Sequence, residues 1–132
     1  MMHIDPKWDI RDFYNLDYIL ATHNDSFLVD EYISSGHNKE KISIYKYHEP
    51  NPMPSCMKHV RDKFSHWDKV GLAVNYFKPG QYLPMHTDLF GRYLQINNVK
   101  PDNVNRCMVM LEDSSPGQIL QIGDVCYCKW EA

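Results

Sequence analysis

The order of patterns along the chain predicts an α+β fold, with helices early and then a run of short, mainly antiparallel strands. Three observations carry this. Met57, Val60, Phe64 and Trp67 recur at i, i+3, i+7 and i+10, the stripe of an amphipathic helix. From Val70 onward, short apolar or alternating runs are separated by Pro79-Gly80, Pro116-Gly117 and Gly123-Asp124, which read as turns between strands. The chain has 132 residues, 43% of them apolar and 23% charged, a length and balance that suit one domain spanning 1–132 with a modest core.

The elements follow in order. Residues 1–16 mix charges and aromatics without a period and read as an irregular arm with one helical turn. Tyr18 to Ala21 is a short strand. Asp25-Ser26 starts a helix through Phe27, Leu28 and Ile33, which Ser34-Ser35-Gly36 stops. Lys41 to Tyr47 is a strand with Ile42 and Ile44 on one face and Tyr45 and Tyr47 on the other. Pro50, Pro52 and Pro54 punctuate a loop, after which Ser55 caps the striped helix. Leu72 to Phe77 is a strand, Lys78-Pro79-Gly80 a turn, and Gln81 to Thr87 is extended. Asp88 to Asn105 is polar and reads as loop. Cys107 to Leu111 is a continuous apolar run, expected as a strand covered on both faces. Ile119 to Ile122 and Val125 to Trp130 form the last two strands, joined around Gly123-Asp124.

Charge and cysteine usage narrow the function. The formal charge is -3 with no basic field, which argues against a nucleic-acid partner. No stretch is long and apolar enough for a membrane span, and no secretory leader pattern opens the chain. The expected setting is cytoplasmic and reducing, with Cys56, Cys107, Cys126 and Cys128 as free thiols. Cys126 and Cys128 share one face of a strand, but no second Cys/His pair matches them, so they are expected as small buried hydrophobes. Of the other histidines, His3, His23, His37, His48, His59 and His66 are expected to be exposed or structural.

The informative stretch runs from Tyr76 to Asp88. His86 and Asp88, one residue apart at the end of an extended run, project to the same side. An imidazole nitrogen and a carboxylate oxygen so placed supply two of the three donors of the 2-His-1-carboxylate triad, which holds ferrous iron and leaves positions open for cosubstrate and dioxygen. His-x-Asp alone fits a hydrogen-bonded surface turn as well. Its context, a Pro-Gly turn followed by a strand and then Leu89-Phe90-Gly91-Arg92-Tyr93, favours the metal.

Tyr76, Pro79, Gly80, His86 and Asp88, then Arg106, Leu111-Glu112-Asp113, Pro116-Gly117 and Lys129-Trp130, together resemble the iron(II)- and 2-oxoglutarate-dependent dioxygenases. The likeness is to the prolyl- and aspartyl/asparaginyl-hydroxylase-like branch. It covers the region 69–132; residues 1–68 carry no motif that can be placed and read as a helical and strand support. The resemblance implies a partial double-stranded β-helix, a cupin-like jelly roll, with N-terminal helices packed on one sheet. It also implies Fe(II) as metal and 2-oxoglutarate as cosubstrate, decarboxylated to succinate as a C–H bond of a small molecule or peptide is hydroxylated. The cofactor carries that chemistry while the protein orients and tunes it. Tyr82, on the His86 face of its strand, is a candidate to hydrogen-bond the cosubstrate carboxylate or else packs in the barrel. Tyr76 is a second such candidate. Arg106 suits a carboxylate or pairs with Glu112 or Asp113. Arg92 is a candidate for an anionic substrate group or stays solvated.

The pattern then breaks. The family places its third ligand, a histidine, on a later strand with a basic residue after it that grips 2-oxoglutarate, and no histidine follows His86 in this sequence. The expectation is a truncated oxygenase, a half completed by a partner subunit, or a natural remnant, weakly active or inactive alone. An interrupted strand series leaves open edges, so self-association is expected. Two rival readings stand beside it. One is a non-catalytic β-sheet binding module. The other is a cupin-like metal enzyme that makes no use of 2-oxoglutarate.

Overall fold

The protein is described from a computed structural model, which covers residues 5, 7–21, 34, 42–83 and 90–132. It mixes helix and antiparallel sheet. The order is α1 (Ile10–Tyr14), β1 (Ile19–Ala21), β2 (Ile42–His48), α2 (Ser55–Lys63), β3 (Gly71–Tyr76), α3 (Gly91–Asn97), a single 3-10 turn (Pro101–Asn103), β4 (Leu120–Ile122) and β5 (Val125–Tyr127). Among the described residues the strands form two antiparallel sheets, one ordered β1-β2-β3 and one made of β4 and β5. These sheets do not close into a barrel.

Asp9 opens α1. Its backbone is extended and its carboxylate accepts from the Arg11 backbone N–H, satisfying one of the donors a helix start leaves orphaned. Arg11 in turn holds that carboxyl down at about 2. Phe13, the buried residue of this one turn, points into the core. The register pairs Tyr45 with Val74 and Tyr47 with Leu72, so these four side chains share one face of the sheet. Against that face lies the cluster of Phe13, Tyr47 and Met57, with Trp8, Leu16, Cys56 and Leu111 packed around it. Burial of a side chain such as Met57 stabilises the fold by roughly 1.5–3 kcal/mol.

The stripe expected of α2 is observed, with Met57, Val60 and Phe64 all buried. Its start differs from expectation: Pro54 occupies the N-cap position and Ser55 is the first helical residue, with no side-chain cap. Pro54 has the φ of -56° that its ring fixes, and its ψ of 140° keeps it extended, as an N-cap residue is. The C-terminus is clamped by Arg61. Its Nη1 donates to the Phe64 carbonyl at 2.8 Å and its Nη2 to the Trp67 carbonyl at 3.2 Å. Nε donates to Glu49 Oε1 at 3.0 Å, and Glu49 Oε2 accepts from the Val70 N–H at 3.2 Å. One half-buried ion pair thereby ties the end of β2 to the residue that leads into β3.

Three other expectations are corrected. The stretch Asp88 to Asn105 is not all loop: α3 and the 3-10 turn lie within it. Tyr93 explains the helix, since its hydroxyl donates to the Lys69 carbonyl at 2.6 Å while Lys69 Nζ donates to the Asn97 carbonyl at 2.7 Å. These contacts outweigh the polar composition that suggested loop. Cys107 to Leu111 is not a strand; Cys107 is exposed and Met108 is 52% exposed. No described strand pairs with it, and an apolar run without a hydrogen-bonding neighbour has no ladder to join. Cys126 and Cys128 are exposed rather than buried, because the β4–β5 hairpin has no apolar layer over it among the described residues. All four cysteines are free thiols, as expected.

The turns follow the sequence closely. Gly80, Gly117 and Gly123 all have positive φ, the left-handed region where a Cβ is costly. At Gly123 the positive φ falls on the first central residue of the β4–β5 turn alone, the pattern of a type II′ hairpin turn. The expected helix from Asp25 lies outside the described residues.

Candidate functional site

β3 carries the chain toward the motif. It ends at Tyr76, and the Gln81 N–H returns to the Lys78 carbonyl at 3.0 Å across Pro79-Gly80, a tight turn made possible by Gly80 at φ 84°. The Gln81 side chain closes the turn a second time, accepting from the Lys78 N–H at 2.8 Å. Tyr82 follows, half-buried. The residues expected to hold metal, His86 and Asp88, lie outside the described residues. An imidazole and a carboxylate suit ferrous iron in kind. Two donors fall short of a triad, and among the described residues no three His, Cys, Asp or Glu side chains come together to hold an ion.

The other candidates separate along the fold. Arg92 is the second residue of α3, and its side chain is not among those described. Arg106 is exposed, in the irregular run after the 3-10 turn. Tyr76 continues the face of Leu72 and Val74 to the end of β3, and there its ring meets Tyr14 at 5.5 Å and Tyr18 at 6.1 Å between centroids.

That tyrosine group was not legible as a site. Tyr14 closes α1 and Tyr18 precedes β1, and only the pairing of β1 and β3 on either side of β2 brings both to Tyr76. The neighbouring Glu112 carboxylate, with a smaller contribution from burial, pushes the Tyr14 phenol up to about 12. Burial, then the neighbouring Cys56, Tyr76 and Glu112, raises Tyr18 as well. Beside Glu112 runs an open groove whose walls include Trp8, Ile10, Leu111 and Asp113. The segment that carries Glu112 is held from both sides: the Trp8 indole N–H donates to the Leu111 carbonyl at 3.0 Å, and the Trp130 indole N–H to the Glu112 carbonyl at 3.1 Å. The sequence signals were a tryptophan and two acids far apart in the chain, which no local pattern joins.

His59, expected exposed or structural, is structural. It sits at 3.1 Å from the Asp5 carbonyl through Nε2, with its ring 5.9 Å from that of Trp8. No helix among the described residues is long and apolar enough to cross a membrane. No family model, curated protein or solved structure matches the chain.

Proposed function

We propose that this chain is an oxygenase, or part of one, of the iron(II)/2-oxoglutarate type, with His86 and Asp88 as two of its metal ligands. The observation that carries the reading is the stretch Tyr76 to Asp88, in which a strand, a Pro-Gly turn and His-x-Asp follow one another. The β3 strand and the Gly80 turn are consistent with it, because they give the motif a rigid lead-in. In this reading the architecture is part of a jelly roll, and the setting is cytoplasmic.

Iron with 2-oxoglutarate, when bound, supplies the oxygen activation for hydroxylating a C–H bond. The chain's own part is to bind and orient. The imidazole of His86 and the carboxylate of Asp88 would hold the metal. The Tyr82 hydroxyl, or that of Tyr76, donates to a carboxylate of the cosubstrate, and the Arg106 guanidinium is the cationic alternative. Arg92 would be the cation for an anionic group of a small-molecule or peptide substrate.

The test is anaerobic addition of ferrous iron and 2-oxoglutarate to the purified chain. A visible charge-transfer absorption that disappears in His86→Ala is the expected result. Succinate formation should be slight, since two protein donors leave the metal mostly to water. Failure to take up iron with the fold intact by circular dichroism overturns the reading in favour of a binding module. Metal uptake indifferent to 2-oxoglutarate points instead to a cupin-like enzyme.

Self-association belongs to the same proposal. Ile19 and Leu20 of the edge strand β1 are 60% and 65% exposed, and Ile122 and Val125 of the hairpin 54% and 52%. Open edges that carry apolar side chains are pairing sites.

A further inference from the structure

We propose that Tyr14 and Tyr76 are a site of oxidative cross-linking, joined within one chain by a dityrosine bond when a one-electron oxidant reaches them. The reaction needs no iron in this chain and involves neither His86 nor Asp88.

Two phenols couple when their rings are close, free to turn toward each other, and able to shed protons. The ring centroids of Tyr14 and Tyr76 lie 5.5 Å apart, inside the contact range of aromatic pairs. Both rings are open to solvent, at 44% and 36% exposure, so an oxidant can reach them and each has space to swing through the last ångströms. Tyr14 is the last residue of α1 and Tyr76 the last of β3, so neither ring is enclosed along both directions of its element. A phenol that has lost an electron releases its proton at once to any nearby base. The exposed Glu112 carboxylate is that base for Tyr14, since its influence on the phenol shows how near it stands.

Tyr18 is the competing partner, with its ring 6.1 Å from that of Tyr76. It is half-buried, and its hydroxyl donates to the Phe13 carbonyl at 2.8 Å, which holds the ring where it lies. Tyr14 is nearer to Tyr76 and more exposed, and it is the partner that couples.

The balance is simple. Each ring gives one electron to the oxidant and one proton away, from Tyr14 to Glu112 and from Tyr76 to water. The two phenoxyl radicals then form a carbon–carbon bond between ortho carbons. The hydrogen on each of those carbons moves as a proton to the phenoxyl oxygen of its ring, which restores both phenols. The chain loses two hydrogens in all, and hydrogen peroxide acting through a peroxidase takes them up as it is reduced to two waters. The new bond ties the end of α1 to the end of β3, segments far apart in the chain, and like a disulfide it narrows the unfolded ensemble.

The experiment treats the full metal-free chain, at low concentration, with a haem peroxidase and hydrogen peroxide. Thiols are alkylated first, because Cys107, Cys126 and Cys128 are exposed and would consume the oxidant. Peptide mass spectrometry on the single-chain band of a denaturing gel is expected to find Tyr14 bonded to Tyr76, with two hydrogens lost and dityrosine fluorescence gained. Tyr14→Phe and Tyr76→Phe should each remove that fluorescence from the single-chain band, and Tyr18→Phe should keep it. Phenylalanine preserves the ring in all three, and circular dichroism establishes that they are folded. A bond between Tyr18 and Tyr76, bonds found only between chains, or no bond in the unsubstituted chain overturns the proposal. So does a signal that survives in Tyr14→Phe and vanishes in Tyr18→Phe.

Discussion

A methyl group at position 71 would be crowded. A Cβ built on Gly71 would lie 3.0 Å from His48 Nδ1 and 3.2 Å from a ring carbon of Tyr93. The His48 ring rises from a backbone held in the β2–β3 ladder, and the Tyr93 ring is tethered through its hydroxyl to the Lys69 carbonyl. Gly71→Ala should therefore destabilise the protein by about 1–3 kcal/mol, the usual cost of overpacking, measured as a lower midpoint in urea unfolding. The reason for this glycine was not visible in the sequence, because both groups it must admit are distant in the chain. The glycines of the turns were visible, since Pro79-Gly80 and Gly123-Asp124 announce themselves locally. Tyr14 gives a second residue-scale prediction. Its phenol is held neutral up to about 12 in the folded protein, against an ordinary value of 10. A raised value means that the Tyr14 contribution to stability is complete below pH 10 and is lost as pH climbs from 10 through 12. Phenolate absorbance should show a tyrosine step near 12 that belongs to Tyr14, and Glu112→Gln should move that step back toward 10.

Among the elements, α2 was the most legible, because its stripe of Met57, Val60 and Phe64 spans about two turns and a helical period of that length is hard to mistake. What holds its end was less so. Arg61 is one of several cations on the helix, and only the folded chain shows it reaching Glu49 and two carbonyls. Arg61→Ala should cost about 2 kcal/mol, the scale of hydrogen bonds to a charged group, and lower the melting temperature. Arg61→Lys should recover only part of it, since an ammonium cannot span three acceptors in one plane. The misread elements share a cause. The helix α3 and the irregular stretch Cys107 to Leu111 are both short, and both are decided by partners rather than by composition. A polar segment became helical because Tyr93 and Lys69 anchor it; an apolar one stayed irregular because nothing pairs with it.

For the molecule as a whole, the α+β class and the antiparallel sense of the strands were legible from the order of patterns. The placement of the candidate site was legible only in part. The approach along β3 and the Gly80 turn agrees with the sequence reading, while the tyrosine group at its end depends on three segments brought together by tertiary structure. The whole-molecule prediction concerns association. Light scattering should give a mass that rises with concentration, and Ile122→Lys, placing a charge on the exposed hairpin, should lower it toward that of one chain. A single-chain mass at every concentration refutes association through these edges.

The connection between β2 and β3 sets the order in which this structure can be made. The two strands are neighbours and run in opposite directions, yet no tight hairpin joins them; the chain leaves at His48, builds α2, and returns at Gly71. Even the closest pair in that ladder must therefore wait for a long loop to close, and the search for it costs entropy before any pairing repays it. A helix that gathers Met57 and Val60 onto the nascent β2 surface shortens that search. Damage to the helix is accordingly expected to slow the assembly of a sheet it never hydrogen-bonds.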